Sequence, residues 1–451
     1  MTPSSNFCLE RCDRCDKRLT TRAIFIGKAL SLKYGQPLSQ VFKNASDLKR
    51  TYEFLTNPKT SFVKVKIPHH VQTAHQVSEL PRVLAVGDTT YLDYKKIIAK
   101  REEYGPIGKG GNGLILHSTL AINPDNGQPL GLLWEKLWHR EHHQQKKKTR
   151  SIQEKESYRW VEALSEVQKL LSENQEPKFT SPKVIHVFDR EGDIAEVFEQ
   201  VTQTANTGIV VRAAHNRALS ETDSYLWSEV TSLPVQFIME IKLPKTKKRS
   251  DRQAKLAVRY TPLKLRSPQR LKNQEYFEVY AVYAAEIDPP LEEEPVEWML
   301  LTTEEVTNPT QARVILRWYT YRWRIEEYHK ILKSGCGAES YRLQGNSMEV
   351  LLGFLTSIAA QLLKMTYLNR TQPETPATSV LSELQMEVLL ALSPKSLPSV
   401  LTVAWAMQSV ARLGGYLEHR KNSPIGITVL WRGWLQLQNL CEGWELRSSW
   451  N

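Results

Sequence analysis

Two apolar runs that end in an aspartate mark buried strands in the first half of the chain. The segment Arg82–Asp93 is apolar up to Asp88, and the segment 183–189 is apolar up to Asp189. A central strand is apolar on both faces, and the polar residue that ends the run then lies at the edge of the sheet. With a helix predicted over 194–202 and another strand over 208–212, this pattern predicts an α/β domain.

Further strand-like segments lie between the two apolar runs and after the α/β pattern. Residues 114–122 and Pro129–Trp138 predict a hairpin. The preceding residues 105–113 are rich in glycine but lack the residue order of a phosphate-binding loop, and they predict a flexible connection. From about 222 to 300, proline and charged residues separate apolar segments, which predicts an all-β insertion in the α/β domain. Its predicted strands cover 235–243, 255–260, 276–286 and 297–303.

Both ends of the chain have helical patterns. Leu19, Ala23 and Ile26 recur at helical spacing, and a second helix is predicted from the Asn44 cap to the stop at Pro58. The longest apolar run, 350–363, is broken by polar residues and is too short to cross a bilayer, so it predicts a buried helix. The predicted domains are 1–70 (helical), 71–369 (α/β, with the insertion at about 222–300) and 370–451 (helical).

The segment 317–333 has two faces if it forms one helix. At ~100° per residue, an arc of roughly 80° collects its polar residues, and a second arc is apolar and would face a core. The polar arc consists of Tyr319, Arg322, Glu326, Lys330 and Lys333, and the apolar arc of Trp318, Tyr321, Ile325, Tyr328 and Leu332. Spacing alone is equally typical of a solvated surface helix with ion pairs.

An aromatic stripe ends the chain, and two interpretations of it are open. Apolar residues recur there every three or four positions, which is typical of a packed core helix and also suits a partner interface. The stripe consists of Leu430, Trp431, Trp434, Leu437, Cys441 and Trp444.

Composition favours a soluble protein with an anionic partner. Hydrophobic content of 41% and charged content of 24% are ordinary for a globular protein. The 60 lysines and arginines exceed the 49 acidic residues and give a net charge of +11, which favours nucleic acid as a partner. An odd number of cysteines and a polar start without a signal sequence predict a cytoplasmic protein.

Two groups of metal-type ligands carry weaker signals. Cys8, Cys12 and Cys15 suggest zinc, but a fourth ligand at finger-like spacing is missing. His139, His142 and His143 precede a basic run, which is typical of a solvated or nucleic-acid-facing loop, with metal binding as the alternative.

Three carboxylates form the main candidate constellation. Asp88, Asp189 and Glu326 are each more than 100 positions from the next, so only the fold could bring them together. Such hard oxygen ligands suit Mg²⁺ or Mn²⁺, and two ions about 3.5–4 Å apart can activate a water or a 3′-hydroxyl. Each aspartate taken alone can equally be a turn or cap residue.

The spacing of the polar arc leads to a family resemblance. Tyr319, Arg322, Glu326 and Lys333 match the Y-x2-R-x3-E-x6-K signature, and in this the chain resembles the DDE transposases of the insertion-sequence-four family. The resemblance spans most of residues 16–445 in the family's order. It also covers Asp88-Thr-Thr, Asp189-Arg-Glu-x-Asp193, Glu154-Lys-Glu-Ser157 with Trp160, 210–212, 298–302, 338–339 and 411–415.

The resemblance implies a fold and a metal site. The fold is a ribonuclease-H-like catalytic core with an inserted antiparallel β-domain, flanked by a helical N-terminal DNA-binding domain and a helical C-terminal dimerisation domain. Asp88, Asp189 and Glu326 would be the catalytic triad that binds two Mg²⁺ ions, with Mn²⁺ as a substitute.

The resemblance also implies which residues hold DNA. Trp298 would stack on a base flipped out of the transposon end, with Trp323 as its neighbour, and a buried strand tryptophan is the alternative for Trp298. The residues implied to contact phosphates are Tyr319, Arg322, Lys330, Lys333, Arg212 and Arg342.

The family reaction is Mg²⁺-dependent nicking, hairpin formation by the freed 3′-hydroxyl, hairpin hydrolysis and strand transfer into target DNA. The implied partners are double-stranded DNA, as transposon ends and target, and a second copy of the chain in a synaptic dimer. In that dimer each active site cuts the end bound by the other subunit, and the expected location is the bacterial cytoplasm, at the nucleoid.

One departure from the family pattern keeps two alternatives open. Relatives have a further helix and an acidic, glycine-containing turn before the segment that begins here at Asp16, whereas residues 1–15 are short, polar and cysteine-bearing. The chain could therefore be a DNA-binding inhibitor or domesticated derivative that no longer transposes. A DNA nuclease that uses the same metals without strand transfer is the third hypothesis.

Overall fold

The computed structural model describes residues 16–97, 104–140, 151–175, 181–243, 251–272, 274–393, 397–417 and 425–448. It has a mixed α/β fold with a large mixed sheet. The chain divides into two compact units. The first unit is Met1–Gln76, Thr89–Gln145 and Arg324–Asn451, and the second unit is Val77–Asp88 and Lys146–Trp323.

The helices and strands are numbered in chain order. The helices are α1 (Lys17–Leu32), α2 (Leu38–Val41), α3 (Ala45–Thr56), α4 (Phe62–Val77), α5 (Tyr158–Glu173), α6 (Ala195–Gln203), α7 (Leu226–Ser232), α8 (Pro309–Thr320), α9 (Trp323–Lys330), α10 (Gly345–Thr371), α11 (Glu383–Ala391), α12 (Val403–Leu413) and α13 (Ile427–Ser448). The strands are β1 (Arg82–Asp93), β2 (Gly105–Gly108), β3 (Gly111–Ile122), β4 (Pro129–Trp138), β5 (Lys183–Phe188), β6 (Thr207–Arg212), β7 (Phe237–Leu243), β8 (Arg252–Arg266), β9 (Tyr276–Glu286) and β10 (Glu297–Thr302).

The second unit is built on three parallel strands. The first half of β1 pairs with β5, and β5 pairs with β6, all in parallel. These strands are buried along almost their whole length, which explains the continuous apolar runs in the sequence. Trp160 of α5 and Phe198 of α6 pack into the same core as Phe188 of β5. The α/β prediction and its strands and helix are confirmed here.

The predicted insertion continues this sheet. Strand β10 pairs antiparallel with β6, and β9, β8 and β7 follow in antiparallel order. The four predicted strands are confirmed, although β8 is longer than expected. The all-β interpretation was wrong, because the segment also contains α7, whose Leu226 and Val230 are buried in the core.

The first unit contains the second half of β1, the hairpin of β3 and β4, and the helices of both chain ends. The predicted hairpin is confirmed, with Ile115 opposite Trp138. The flexible connection predicted over 105–113 was wrong, because β2 and β3 form an ordered hairpin there. Lys109 and Gly110 both have positive φ at its turn, as tight two-residue hairpin turns require.

Helices from the two ends of the chain pack together within the first unit. The predicted helices are confirmed as α1 and α3, and the Asn44 side chain caps α3 by accepting the Ser46 N–H. The buried Tyr34 hydroxyl donates to the Trp431 carbonyl over 2.8 Å, and Lys33 pairs with Glu442. The predicted domain boundaries at 70 and 369 therefore differ from the division into units, and the functional roles of those domains stay predictions.

Two apolar features of the first unit are core elements. Helix α10 is long and apolar enough to cross a membrane, but 83% of its most apolar window is buried inside the protein, as in a core helix of a soluble protein. In α13, five stripe residues are buried: Leu430, Trp431, Trp434, Leu437 and Cys441. For these five residues the packed-core interpretation is confirmed, whereas Trp444 is half-exposed and donates to Glu387.

The single helix predicted over 317–333 was wrong. Helix α8 ends at Thr320, α9 begins at Trp323, and a π-helical turn, Ile331–Gly335, follows. Between the helices, the Tyr321 and Arg322 N–H groups donate to the carbonyls of Trp318 and Tyr319, a tightening by one residue relative to an α-helix. A constant ~100° per residue therefore does not hold across this segment.

Several predictions fall outside the described residues. These are the zinc interpretation of Cys8, Cys12 and Cys15, and the roles suggested for His142, His143 and the basic run 146–150. His139 is described, and it is exposed after β4.

Candidate active site

The two candidate aspartates belong to neighbouring parallel strands. Asp189 directly follows β5, as predicted, whereas the prediction that Asp88 ends its strand was wrong, because β1 continues to Asp93. Strands β1 and β5 pair from Arg82 opposite Lys183 to Val86 opposite Val187, and Asp88 and Asp189 each lie two residues beyond the last pair. Both side chains are half-buried.

Close packing fixes the backbone directly before each aspartate. A Cβ on Gly87 would lie 2.7 Å from the Phe188 ring, and a Cβ on Gly192 would lie 2.6 Å from Phe188 Cβ. Phe188 also packs edge-on against Trp160, with ring centroids 4.7 Å apart. Because the Phe188 side chain fills the space in which a Cβ of either glycine would lie, the backbone beside Asp189 has little room to shift.

Asp189 is also a cap residue. Its Oδ1 accepts the Glu191 N–H over 2.9 Å and so begins the short 3-10 turn Arg190–Gly192. The cap interpretation considered for a single aspartate is therefore confirmed for Asp189. It does not exclude a metal role, because a carboxylate has two oxygens and about four lone-pair sites.

The Asp193 side chain stabilises the loop that follows β6 through hydrogen bonds. It is fully buried, and its Oδ2 accepts the N–H groups of Ala214 and His215 over 2.7 and 3.0 Å. Its Oδ1 accepts from Arg217 Nε over 3.1 Å and from Nη2 over 2.5 Å. These bonds fix the loop that follows Arg212 at the carboxyl end of β6.

Tyr319 is the centre of a second cluster in the same unit. Its side chain is 3% exposed and meets the Trp298 ring edge-on, with centroids 5.4 Å apart. Burial raises the pKa of Tyr319, whereas the guanidiniums of Arg322 and Arg212, the latter also hydrogen-bonded to it, act in the opposite direction. The Asp189 carboxylate is close enough to raise the same pKa. Five predicted site residues are therefore neighbours.

Other side chains of this cluster differ in exposure. Trp298 is half-buried, and Arg212 Nη2 donates to the Glu297 carbonyl over 2.8 Å, beside it on β10. Arg322 is buried and lies 5.0 Å from the Trp323 ring centroid, and Trp323 itself is 52% exposed. Tyr319 and Arg322 are thus not on the open helical face that was predicted, because both side chains are buried.

The remaining predicted residues belong to the first unit. Glu326 is half-buried on α9, and Lys330 is exposed at the end of that helix. Lys333, in the π-helical turn, lies 3.8 Å from Glu339, whose Oε1 also accepts the Asp93 N–H over 2.9 Å. Arg342 is exposed. A phosphate would therefore have to compete with Glu339 for Lys333.

The donor chemistry of the aspartate pair fits a hard divalent cation. Asp88 and Asp189 offer carboxylate oxygens from adjacent strands, which is the ligand type that Mg²⁺ prefers. Within the described part of the chain, no group of three or more His, Cys, Asp or Glu residues is placed to hold a metal ion. The metal roles of Asp88, Asp189 and Glu326 stay predictions.

Two positioning features were missed by the sequence reasoning. Gly87 interrupts an apolar strand, and a glycine there is a usable signal of close packing. Arg217 carried no such signal, because its partner Asp193 is 24 residues away. The structure alone reveals that pair.

No family model matches this chain.

Proposed function

We propose that this chain is a DNA transposase that catalyses metal-dependent cut-and-paste transposition of an insertion sequence. The observation that supports the proposal most is that Asp189, Arg212 and Arg322 all lie near Tyr319 in the second unit. Asp88 and Asp189 follow the last paired residues of two adjacent parallel strands by two positions each, which would bring their carboxylates close together. Carboxylates beside guanidiniums suit a site that holds both a metal and a phosphate.

The proposed fold is a ribonuclease-H-like core with an inserted antiparallel β-segment. Support comes from the parallel strands β1, β5 and β6, from the aspartates on two of them, and from the antiparallel strands that lie between Asp189 and Glu326 in the chain. The resemblance in the Y-x2-R-x3-E-x6-K residues is the second support.

In this proposal each residue has a separate task. Asp88, Asp189 and Glu326 would hold Mg²⁺, or Mn²⁺ in its place, as two ions per active site. When bound, the metal supplies Lewis acidity at the scissile phosphate. Gly87 and Phe188 keep the two aspartates aligned, and the cap bond to Glu191 fixes the Asp189 carboxylate.

The residues proposed to contact DNA fall into two groups according to the exposure of their side chains. Exposed or half-exposed cations suit backbone phosphates, and they are Arg212, Lys330, Lys333 and Arg342. The buried Arg322 and Tyr319 would set the position of Trp298 and Trp323, which offer ring faces to an unstacked base. The net charge of +11 favours DNA as the partner. The proposed working form is a dimer on paired ends, at the nucleoid.

A DNA-binding inhibitor or domesticated derivative is the second candidate function. It requires only the net charge of +11 and the exposed cations named above, and no metal site. A binder of this kind would retain salt-dependent DNA affinity and would not cut.

The direct test uses the DNA that flanks the gene, in which the proposal predicts inverted repeats. Purified protein is incubated with DNA carrying these repeats, with Mg²⁺ or with EDTA. We expect nicks and hairpin ends at the repeats with Mg²⁺ and none with EDTA, and Asp189→Asn should remove both products. Binding without cleavage under all metal conditions would support the inhibitor, and nicking without hairpins or strand transfer would support the nuclease.

Trp298→Ala should impair hairpin formation more than the first nick. Base stacking on an aromatic face is worth ~1–3 kcal/mol, so we expect the hairpin yield to fall by roughly ten- to a hundredfold while nicking stays within about threefold. Gel assays that separate nicked and hairpin ends measure both. Trp227→Ala, at a half-buried tryptophan of α7, is the control. Equal loss of both steps would indicate a structural tryptophan.

Lys333→Ala should weaken DNA binding and reduce its salt dependence. Loss of one phosphate contact should lower the slope of log K against log salt by about one. Fluorescence anisotropy over a salt series measures this slope. Lys169→Ala, at an exposed lysine of α5, should leave the slope unchanged. A slope of wild-type size in Lys333→Ala would mean that Lys333 serves only Glu339.

A further inference from the structure

A buried carboxylate in the first unit joins three elements, one of which carries Glu326. The Glu135 side chain, on β4, has no exposed surface. Its Oε1 accepts from the Tyr328 hydroxyl of α9 over 3.1 Å and from Ser118 Oγ of β3 over 3.3 Å. Its Oε2 is 3.4 Å from His70 Nε2 of α4.

The protonation states suit this arrangement. Burial by itself would raise the pKa of Glu135, but the hydrogen bond with His70 and the charge of Lys66 outweigh it and hold the pKa below its ordinary value. The Glu135 carboxylate therefore stays an acceptor for the Tyr328 hydroxyl. Lys66 Nζ also donates to the Glu135 backbone carbonyl.

We propose that Glu135 is a positioning residue for Glu326, acting through the Tyr328 hydroxyl. This inference rests on the proposed function. Tyr328 follows Glu326 by two residues, so the two side chains leave α9 about 200° apart. Tyr328 is fully buried and Glu326 half-exposed, in agreement with that angle. Fixing the phenol in the interior thus fixes the opposite direction for the Glu326 carboxylate.

A small rotation of α9 about its axis would displace the Glu326 carboxylate, and a directional hydrogen bond limits such rotation. A rotation of α9 by about 10° moves a group at an outer radius of ~5–6 Å by about 1 Å. A misplacement of that size can cost on the order of a hundredfold in rate. Helix α9 has two other directional bonds, from Arg324 Nε to the Gly127 carbonyl over 2.6 Å and from the Tyr367 hydroxyl to Glu327. The bond from Tyr328 to Glu135 adds a fully buried one with its own preferred geometry.

The test compares Tyr328→Phe and Glu135→Gln with a matched control. Tyr34→Phe removes another buried hydroxyl of the first unit, one that donates to the Trp431 carbonyl of α13. Three quantities are measured in the full chain: Mn²⁺ affinity by electron paramagnetic resonance, amide hydrogen exchange of α9 (Trp323–Lys330), and metal-dependent cleavage.

We expect both variants to bind Mn²⁺ about tenfold more weakly and to cleave about tenfold more slowly at saturating DNA. Amide exchange of α9 should be faster, while the Km for DNA stays unchanged. Tyr34→Phe should match the wild type in Mn²⁺ affinity and cleavage rate. If Glu135→Gln does not fold, Tyr328→Phe carries the test.

Wild-type Mn²⁺ affinity and cleavage rate in Tyr328→Phe would overturn the inference, even if its melting temperature falls. A wild-type protein that neither binds Mn²⁺ nor cuts DNA would instead overturn the proposed function. In that case the amide exchange of α9 alone tests whether the hydrogen bond between Tyr328 and Glu135 holds the helix. Faster exchange in Tyr328→Phe but not in Tyr34→Phe would support this role, and equal exchange in the two variants would refute it.

Discussion

Replacing Glu326 by alanine is expected to abolish Mg²⁺-dependent cleavage while leaving DNA binding largely intact. Removing one carboxylate from a triad that works as a unit should lower the cleavage rate by on the order of a thousandfold or more. Glu326 is half-exposed, so we expect alanine at this position to leave the fold intact. The rate is measured on DNA with the flanking repeats, and affinity by anisotropy in Ca²⁺.

The neighbouring carboxylate provides the control for this prediction. Glu327 is on the same helix and accepts a hydrogen bond from the Tyr367 hydroxyl. Glu327→Ala changes the charge of α9 by the same amount, and we expect it to retain cleavage within about tenfold. Undiminished cleavage by Glu326→Ala would refute its assignment as a metal ligand, and equal loss in both variants would point to the helix instead of the residue.

Replacing Asp193 by alanine is expected to have the largest effect on stability. It would remove the carboxylate that accepts from the Arg217 guanidinium and from the N–H groups of Ala214 and His215, and Arg217 Nη2 would keep only its bond to the backbone carbonyl of residue 193. Breaking a buried ion pair by removing one partner costs about 3–5 kcal/mol in the free energy of unfolding. Equilibrium urea unfolding, and hydrogen exchange of β5 and β6, measure the loss.

Asp223 is the control for Asp193, because it is an exposed aspartate of the same unit. Asp223→Ala should change the free energy of unfolding by no more than about 0.5 kcal/mol. A change below about 1 kcal/mol in Asp193→Ala would mean that the loop after β6 does not depend on this pair.

The strands of the second unit could be predicted because burial on both faces leaves a direct trace in the sequence. The apolar run that ends at Asp189 has one interpretation as a central strand, and it forms β5. The strands that follow were equally clear, since proline and charge separate them. Helix α7 was missed because only seven residues form it, too few to show a helical period against its surroundings.

The neighbourhood of Tyr319 could be predicted only in part. Residue spacing identified Tyr319 and Arg322 as partners, but it placed both on an open face. The tightening at Tyr321 and Arg322 depends on how each helix packs, and no local residue pattern signals it. Glu135 escaped notice for a related reason: a single acidic residue in a strand is ordinary until its buried donors are known.

The discontinuous second unit limits which shortened forms of the protein could fold. Its parallel strands come from two separate stretches of chain, and β1, which carries Asp88, is supplied by the earlier one. After Met1, the next methionine is Met239, inside β7. Translation started at that internal codon would give a product without β1, β5 and β6, and so without either aspartate. A shortened form that keeps the second unit folded would therefore have to retain Val77–Asp88, and with it the first half of β1.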